Sequence, residues 1–310
     1  MTRKILITGG AGNIGASLAR RLAANQENHV VIVDNLSTGS SEKLPSAELS
    51  NWRFVRADVN SYHDLAPVMV STAFDIVFPY AAIVGVQRTL ENPHHVLQDI
   101  HGFENVLGLA KNTGVKRVFF ASSSEVYGEA ADFPQREATT PLTSRLPSAV
   151  VKNVGEAFFR TYTQKYGLNH TIFRFFNTYG PLQSTDFVIS RFIRQALDGE
   201  DITIYGDGSQ SRTFCYIDDN LDFTEKTLAD ESWINETVNV GSDDEYSVIQ
   251  LAETIIRLTG SRSKIIHLPP LPEGDMGRRC PDVSRMKSTL GRPLMTLEDG
   301  IRKTLAANSD

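Results

Sequence analysis

The stretch Ile5-Leu6-Ile7-Thr8-Gly9-Gly10-Ala11-Gly12-Asn13-Ile14-Gly15 decides the fold. It opens as a short, continuous, mostly β-branched run, the pattern of a strand buried on both faces, and breaks into a loop with glycines at 9, 12 and 15. Ser17-Leu18-Ala19-Arg20-Arg21-Leu22 then takes up helical spacing, so the segment reads strand, turn, helix. Each glycine has a task in such a turn: a tight bend, close approach of backbone to a pyrophosphate, and close packing of helix on strand, with the helix N-terminus facing the phosphate charge. About twenty residues on, a second strand, His29 to Val33, ends in Asp34, where a carboxylate takes both hydroxyls of an adenosine ribose. Together they predict a bound dinucleotide rather than a glycine turn with no ligand. Asp34 favours NAD over NADP, since it would repel a 2′-phosphate and Asn35 offers no compensating positive charge.

The rest of the composition is that of an ordinary globular chain. Its 310 residues suit one large domain or two that share a core, 41% are hydrophobic, and the net charge is −6 with acids and bases mixed along the chain. That balance argues against nucleic-acid or membrane-surface binding. Cys215 and Cys280 stand far apart and match no metal spacing, so both are expected as buried or neutral thiols in a reducing compartment, with no bound metal. Met1 to Lys4 lead into a core strand with no apolar signal region, and no run approaches the roughly 20 apolar residues of a membrane span. A cytoplasmic location is expected.

Strands and helices alternate from here. After the polar loop Asn35 to Ser41, a third strand, Trp52 to Ala57, closes on Asp58-Val59, and a helix from Tyr62 to Val70 leads to a fourth strand, Phe74 to Phe78. The turn Pro79-Tyr80-Ala81-Ala82 precedes a long helix, Pro93 to Asn112, whose apolar face carries Val96, Ile100, Phe103, Val106, Leu107 and Ala110, with Gly114 as its C-cap. Lys116 to Ala121 is a fifth strand. A long loop, Glu129 to Pro147, separates it from a helix over Ser148 to Tyr166 and a sixth strand over Asn169 to Phe175. This alternation implies a parallel sheet covered on both faces. Beyond residue 180 the units shorten: a helix from Phe187 to Leu197, strands at Ile202 to Tyr205, Thr213 to Ile217, Thr237 to Val240 and Lys264 to His267, a helix from Ser247 to Leu258, and two C-terminal helices. The tail from Ala306 is expected to fray.

Ligands of such sheets bind outside the carboxyl ends of the strands, which directs attention to Ser123 after the fifth strand. Its hydroxyl either bonds a substrate hydroxyl or serves a local serine turn. The wider set of motifs resolves this in favour of a site. Gly9-x-x-Gly12-x-x-Gly15, Asp34 to Gly39, Ser122 to Gly128, Arg174 to Pro181 and Tyr205 to Arg212 together resemble the extended short-chain dehydrogenase/reductase family, in its branch of NAD-dependent nucleotide-sugar epimerases, dehydratases and decarboxylases. The resemblance covers nearly the whole chain. It implies a Rossmann-type doubly wound sheet over 1–180, a smaller mixed α/β nucleotide-sugar-binding region over 181–310 that returns strands to the core sheet, and a tightly held NAD. Gly9, Gly12, Asn13, Ile14, Gly15, Asp34, Asn35, Ser37, Gly39, Asp58, Val59, Ala81, Ala82 and Lys152 are the cofactor-binding positions; Asn177, Tyr205, Arg212 and Arg279 lie where the family holds the nucleotide sugar. Arg212 pairs with the pyrophosphate in that reading, although an isolated arginine is more often a solvated cation. Arg278 competes with Arg279 for its role, Tyr205 either flanks the base or packs in the core, and Glu125 is either catalytic or a satisfied loop carboxylate. A homodimer through the helices near 93–112 and 148–166 is also implied, though a core role explains the same apolar faces.

In this family hydride leaves a sugar carbon, usually C4, while a Tyr-x-x-x-Lys pair handles the proton: the lysine holds the nicotinamide ribose and lowers the tyrosine pKa. Here Lys152 is in place, but the residue four before it, on the same helix face, is Ser148. A serine is shorter by a ring, and its hydroxyl is a far weaker acid than a phenol, whose pKa is about 10. Slow turnover with cofactor binding retained is the expectation, whether Ser148 is a deliberate substitution that traps a complex or the mark of a drifted lineage. Pro79 also departs, from the family histidine before Ala81-Ala82. The 4,6-dehydratases resemble Thr-Asp-Glu where this chain has Ser123-Ser124-Glu125, which disfavours dehydration. UDP-glucuronate decarboxylases resemble Thr-Ser-Glu with a later Arg-x-Pro-Asp, close to Arg279-Cys280-Pro281-Asp282, yet Leu182 to Asp186 lacks their basic pattern. A 4-epimerase needs least, room for the keto-sugar to turn over, and is the preferred reading; catalytic candidates are Ser123, Glu125, Ser148 and Lys152. A binding protein that no longer catalyses, or a dehydrogenase that releases NADH, would make different products.

Overall fold

The computed structural model describes residues 2–270 and 276–307, apart from the side chains of Val86, Gln87 and Leu90. Along the chain run β1 (Arg3–Thr8), α1 (Asn13–Ala24), β2 (Asn28–Asp34), β3 (Trp52–Arg56), α2 (Tyr62–Ser71), β4 (Ile76–Pro79), α3 (Val86–Glu91), α4 (Pro93–Thr113), β5 (Arg117–Ser123), α5 (Pro147–Tyr166) and β6 (Asn169–Phe175). They are followed by β7 (Thr178–Tyr179), α6 (Val188–Asp198), β8 (Ile202–Tyr205), β9 (Ser211–Thr213), β10 (Cys215–Tyr216), α7 (Ile217–Ala229), β11 (Thr237–Val240), β12 (Glu245–Ser247), α8 (Val248–Thr259), β13 (Ile265–Leu268), α9 (Ser284–Leu290) and α10 (Leu297–Ala307).

The chain divides into two compact units. The first comprises Met1–Val126, Ser144–Arg174 and Thr227–Val238. It is built on a seven-stranded sheet of order β11-β6-β5-β4-β1-β2-β3. β1 pairs in parallel with β2 on one side and with β4 on the other, so the strand order reverses there and opens the crevice of a doubly wound sheet. The registers Thr8↔Val33 and Thr8↔Pro79 bring Gly9, Asp34 and Tyr80 out at the same end. Strands β1, β2 and β5 read as unbroken apolar runs because helices cover both faces. On one face Leu6, Val31, Val77, Val118 and Phe120 meet Phe103, Val106 and Leu107 of α4 and Val151 and Phe159 of α5. Phe120 stacks on Phe159 with centroids 4.5 Å apart and meets the Phe103 ring edge-on at 5.1 Å. Each fully buried ring of this kind stabilises the unit by about 1.5–3 kcal/mol. α4 ends at Gly114 in the left-handed conformation (φ +80°), as the sequence predicts.

The second unit comprises Tyr127–Thr143, Phe175–Lys226 and Asn239–Asp310. Three two-stranded pairs recur in it: β7 with β10 and β8 with β13, both parallel, and β9 with β12, antiparallel. A capping box between Ser247 and Gln250 starts α8.

Several elements differ from the expected ones. The run Thr213 to Ile217 reads as one strand, yet Thr213 ends β9, Cys215–Tyr216 form β10, and Ile217 opens α7, whose first turn carries Asp218 and Asp219, acids that favour a helix N-terminus. The fourth strand starts at Ile76 and not at Phe74: the Asp75 backbone still bonds Lys4 and Lys116, but the Lys4 amide donates to the Asp75 carboxylate at 2.9 Å, and that carboxylate also pairs with Lys116. The short α3 has no amphipathic repeat long enough to announce it. Ala306 and Ala307 lie in α10, while the rest of the tail expected to fray falls outside the described residues. Among the described residues no helix is long and apolar enough to cross a membrane. Cys215 and Cys280 are free and buried, and burial raises both thiol pKa values, Cys280 to about 12.

Candidate functional site

In the first unit the glycine loop is shaped by two kinds of constraint. A Cβ on Gly9, whose φ is +66°, would stand 2.5 Å from the Ala81 amide nitrogen, and one on Gly15 would stand 2.3 Å from the Gly9 carbonyl oxygen. Both positions are glycine because the protein's own backbone leaves no room. Gly12 is different: a Cβ there meets only the Gly9 carbonyl, at 3.3 Å. Gly12 caps α1, which has no side-chain cap and no acidic residue in its first turn, so the amides at its start carry the unopposed positive end of the helix. Asn13 Oδ1 is buried there with no hydrogen-bond partner.

Asp34 closes the loop from the neighbouring strand. Its Oδ2 accepts from the Ala11 amide at 3.0 Å and its Oδ1 from the Leu36 amide at 2.8 Å, while Gly39 packs against Ala11 and Asp34. Asn35 Oδ1 accepts from the Ser37 amide at 2.9 Å, and Asn35 Nδ2 donates to Asp58 at 3.2 Å. The Val59 carbonyl accepts from Asn105 of α4, and the Ala81 amide donates to Thr8 Oγ1. Pro79 is buried as the last residue of β4, leaving no imidazole at that position. Uncapped amides over an open Gly12, with an anchored carboxylate at the end of the next strand, fit a dinucleotide: the α1 amides would take the pyrophosphate and Asp34 the adenosine ribose.

At the end of β5 the four catalytic candidates form a connected group. Ser123 Oγ accepts from the Glu125 amide at 3.1 Å, a serine turn that leaves the Ser123 proton available to donate. Glu125 Oε2 accepts from Ser148 Oγ at 2.9 Å, tying this turn to the first turn of α5. One helical turn later, Lys152 Nζ donates to the Ala121 carbonyl at 2.7 Å. Burial lowers the Lys152 pKa to about 8, against the pull of Asp99 and Glu125. Ser124 is buried, at 2% exposure.

Two acids that sequence reasoning missed support this group. Asp99 of α4 is buried, accepts from the Ile83 amide at 2.9 Å, and has a pKa raised by that burial. It stands on the apolar stripe, three residues after Val96 and four before Phe103, and an acid at such a place was the available signal. Glu156 is fully buried on α5, in line with Ser148 and Lys152 at successive four-residue steps. Its carboxylate accepts from Ser122 Oγ at 2.7 Å, from Arg174 Nε and Nη2 at 2.8 Å each, and from Arg160 Nη2 at 2.7 Å. Burial, the largest single influence, would raise its pKa, but the bonds and charge of Arg174, the Ser122 bond and the Arg160 charge together outweigh it and hold it below the ordinary glutamate value. One side chain thus joins β5, α5 and β6 beside Ser123.

In the second unit Arg212 and Arg279 are 8% and 6% exposed, so neither is a solvated surface cation. They lie on adjacent chain segments, since the Arg279 amide donates to the Ser211 carbonyl at 3.3 Å. Arg278 is instead held by Glu245 at 2.8 and 2.5 Å over the Phe133 ring. Asn177 has φ +37° and donates from Nδ2 to the Thr213 carbonyl at 2.8 Å. The Tyr205 ring lies under the Arg191 guanidinium at 5.8 Å.

A doubly wound parallel sheet with this loop and this serine, glutamate and lysine at β5 and α5 defines a dinucleotide-dependent enzyme. The chain matches the NAD dependent epimerase/dehydratase family over residues 5–241 and belongs to it. It is similar to the UDP-N-acetyl-alpha-D-glucosaminuronate decarboxylase of Bacillus cytotoxicus, 37% identical across 98% of this chain and 97% of that one. Among solved structures it resembles the UDP-glucose 4-epimerase of Thermotoga maritima with UDP-glucose (TM-score 0.92, 30% identity, 99% of this chain and 98% of that one). It also resembles the UDP-glucose 4-epimerase of Thermus thermophilus in complex with NAD (TM-score 0.90, 27% identity, 98% of each chain). NAD is the family's cofactor, and nucleotide-sugar epimerases and decarboxylases are its relatives here.

Proposed function

We propose that this chain oxidises a UDP-type sugar at C4 and re-reduces it, acting as a 4-epimerase. Bound NAD supplies the hydride acceptor and donor. Ser123 bonds the reacting sugar hydroxyl, Lys152 holds the nicotinamide ribose, and Glu125 and Ser148 occupy the position of proton transfer. The observation that carries this reading is the bonded run Ser123, Glu125, Ser148 with Lys152 one turn further along α5. Dehydration is disfavoured because the residue after Ser123 is Ser124, where the dehydratases carry an aspartate. For the nucleotide sugar we assign Asn177, Tyr205, Arg212 and Arg279, with the buried guanidinium of Arg212 on the pyrophosphate, a partner that suits a planar bidentate donor.

Decarboxylation of a UDP-uronic acid is the second reading. The burial of Arg279 at the head of Arg279-Cys280-Pro281-Asp282 favours it, as does the similarity to a UDP-sugar acid decarboxylase. Oxidation at C4 makes a β-keto acid that loses carbon dioxide once its carboxylate is oriented. We also propose a homodimer through α4 and α5, whose Leu97, Val150 and Tyr166 are exposed apolar side chains, and a cytoplasmic location, which suits two free thiols.

The test is product analysis by chromatography and mass on UDP-glucose, UDP-galactose, their N-acetyl forms and UDP-glucuronate, for the wild-type chain beside Ser148→Tyr. A 4-epimer is expected. A pentose product would establish the second reading, and binding of NAD without turnover by either chain would refute both.

A further inference from the structure

A buried lysine, a serine and no phenol leave the proton of the sugar hydroxyl without the usual acceptor, and the structure holds a different one nearby. Ser148 itself is unsuited: a serine hydroxyl does not ionise near neutral pH, and in this structure it donates its proton to Glu125. Asp99 is also unsuited. It is 7% exposed, and its oxygens already accept from the Ile83 amide at 2.9 Å and from Asn60 Nδ2 at 3.4 Å. Glu125 is half-buried and held twice. Its amide is fixed on Ser123 Oγ, and its Oε2 is fixed by Ser148, so the carboxylate stands over the helix position from which the family's phenol projects. A glutamate side chain on that anchor reaches part of the way a tyrosine would. Lys152 lies one turn along the same face of α5, and its positive charge is coupled to Glu125, as it would be to a phenolate.

We propose that Glu125 is the proton acceptor and donor for the sugar C4 oxygen in this chain, with Ser148 as the positioning residue that pins its carboxylate in the phenol's place. The proposal rests on the C4 oxidation reading above. In the forward step the C4–H bond breaks and its electron pair goes to bound NAD as hydride. The O–H bond breaks in the same step, its proton passing to the Glu125 carboxylate, and C4 becomes a ketone. The sugar is oxidised and NAD reduced. In the return step the Glu125 carboxylic acid gives its proton to the C4 oxygen as hydride comes back, and the carboxylate, pinned again by Ser148, is restored.

The experiment follows NADH fluorescence in a single turnover of the NAD-loaded protein mixed with the sugar panel, for wild type, Glu125→Gln, Glu125→Ala with and without added acetate, Ser148→Ala and Ser148→Tyr. Loss of a positioned acid–base group predicts a rate lower by about 10²–10⁴-fold in both Glu125 variants. Acetate, but not acetamide, is expected to restore part of the rate to Glu125→Ala, which a structural role would not allow. Ser148→Ala should lose less than either. One readout is independent of turnover: calorimetric affinities for NAD and for UDP-sugar stay within a few-fold of wild type. A second follows the proton itself: the infrared difference spectrum of the oxidised-sugar state contains a carboxylic-acid band that Glu125→Gln lacks. Wild-type rates in Glu125→Gln overturn the proposal and leave the function standing. Absence of acetate rescue in Glu125→Ala overturns it as well, as does NAD reduction only by Ser148→Tyr. No reduction in any chain overturns the proposal together with the reading on which it rests.

Discussion

Replacing Glu156 by glutamine removes one charge without changing shape, and the structure makes that change expensive. The carboxylate is completely buried and accepts from Ser122, from two nitrogens of Arg174 and from Arg160. Arg174 is 2% exposed, so a neutral amide leaves a guanidinium in the interior without its counter-charge and turns an NH₂ toward donors. Breaking a buried pair from one side costs about 3–5 kcal/mol. Near the midpoint this corresponds to a Tm lower by roughly 5–8 °C for a chain of this size. The pH dependence carries the same signature. A carboxyl held below its unfolded pKa gives its full stabilisation above that unfolded value, and the stabilisation is lost as pH falls through the folded pKa. Urea and thermal unfolding of wild type and Glu156→Gln, from neutral pH down to about pH 2, measure both effects. Because Ser122 precedes Ser123 and Glu156 stands one turn beyond Lys152, turnover should fall as well. A loss below about 1 kcal/mol, the scale of an exposed pair, would refute the reasoning.

The two loop glycines should separate packing from ligand binding. Gly15→Ala drives a Cβ to 2.3 Å from a carbonyl oxygen and is expected to lower stability by about 1–3 kcal/mol, whereas Gly12→Ala should leave the melting temperature nearly unchanged and weaken NAD at least about tenfold, both read by thermal melting and calorimetry. Asp34→Ala removes the expected charged bonds to the ribose and should weaken NAD by roughly 10–100-fold in calorimetry; unchanged affinity would remove Asp34 from the cofactor site. His170 is buried beside Thr163, and burial, with the charges of Arg160 and Arg117, lowers its pKa to about 4. Its unfolded form binds the proton first, so stability should decline by about 3 kcal/mol as pH falls from about 6.5 to about 4. His170→Gln should flatten that slope in urea titrations, and parallel slopes would contradict it.

What the sequence made legible follows from how local each signal is. Gly9, Gly12, Gly15 and Asp34 lie in one strand-turn-helix-strand unit with fixed spacing, and that unit alone predicts the sheet reversal at β1. β6, β8 and β11 match their expected ranges because apolar runs between turns locate strands well. Ile217 was misread because an apolar run looks alike at the end of a strand and at the start of a helix. Glu156 was invisible for another reason: its meaning depends on Arg174, 18 positions away, and on Ser122, 34 positions away. Asp99 was legible in principle, as an acid on an apolar helix face, and went unread among the hydrophobic residues that flank it. Arg278 and Arg279 were indistinguishable neighbours until Glu245 was seen to hold one and burial to enclose the other.

The Glu156 junction bears on how easily chemistry at position 148 can change. Ser148 lies on the first turn of α5, and what anchors that helix to the sheet is one and two turns further along, at Lys152 on Ala121 and at Glu156 on Ser122 and Arg174. The scaffold is therefore indifferent to whichever side chain occupies 148. A change at 148 thus leaves the framework that holds α5 intact. The bonds that frame the helix are separate from the position where this chain departs from its family, which makes that position a replaceable part.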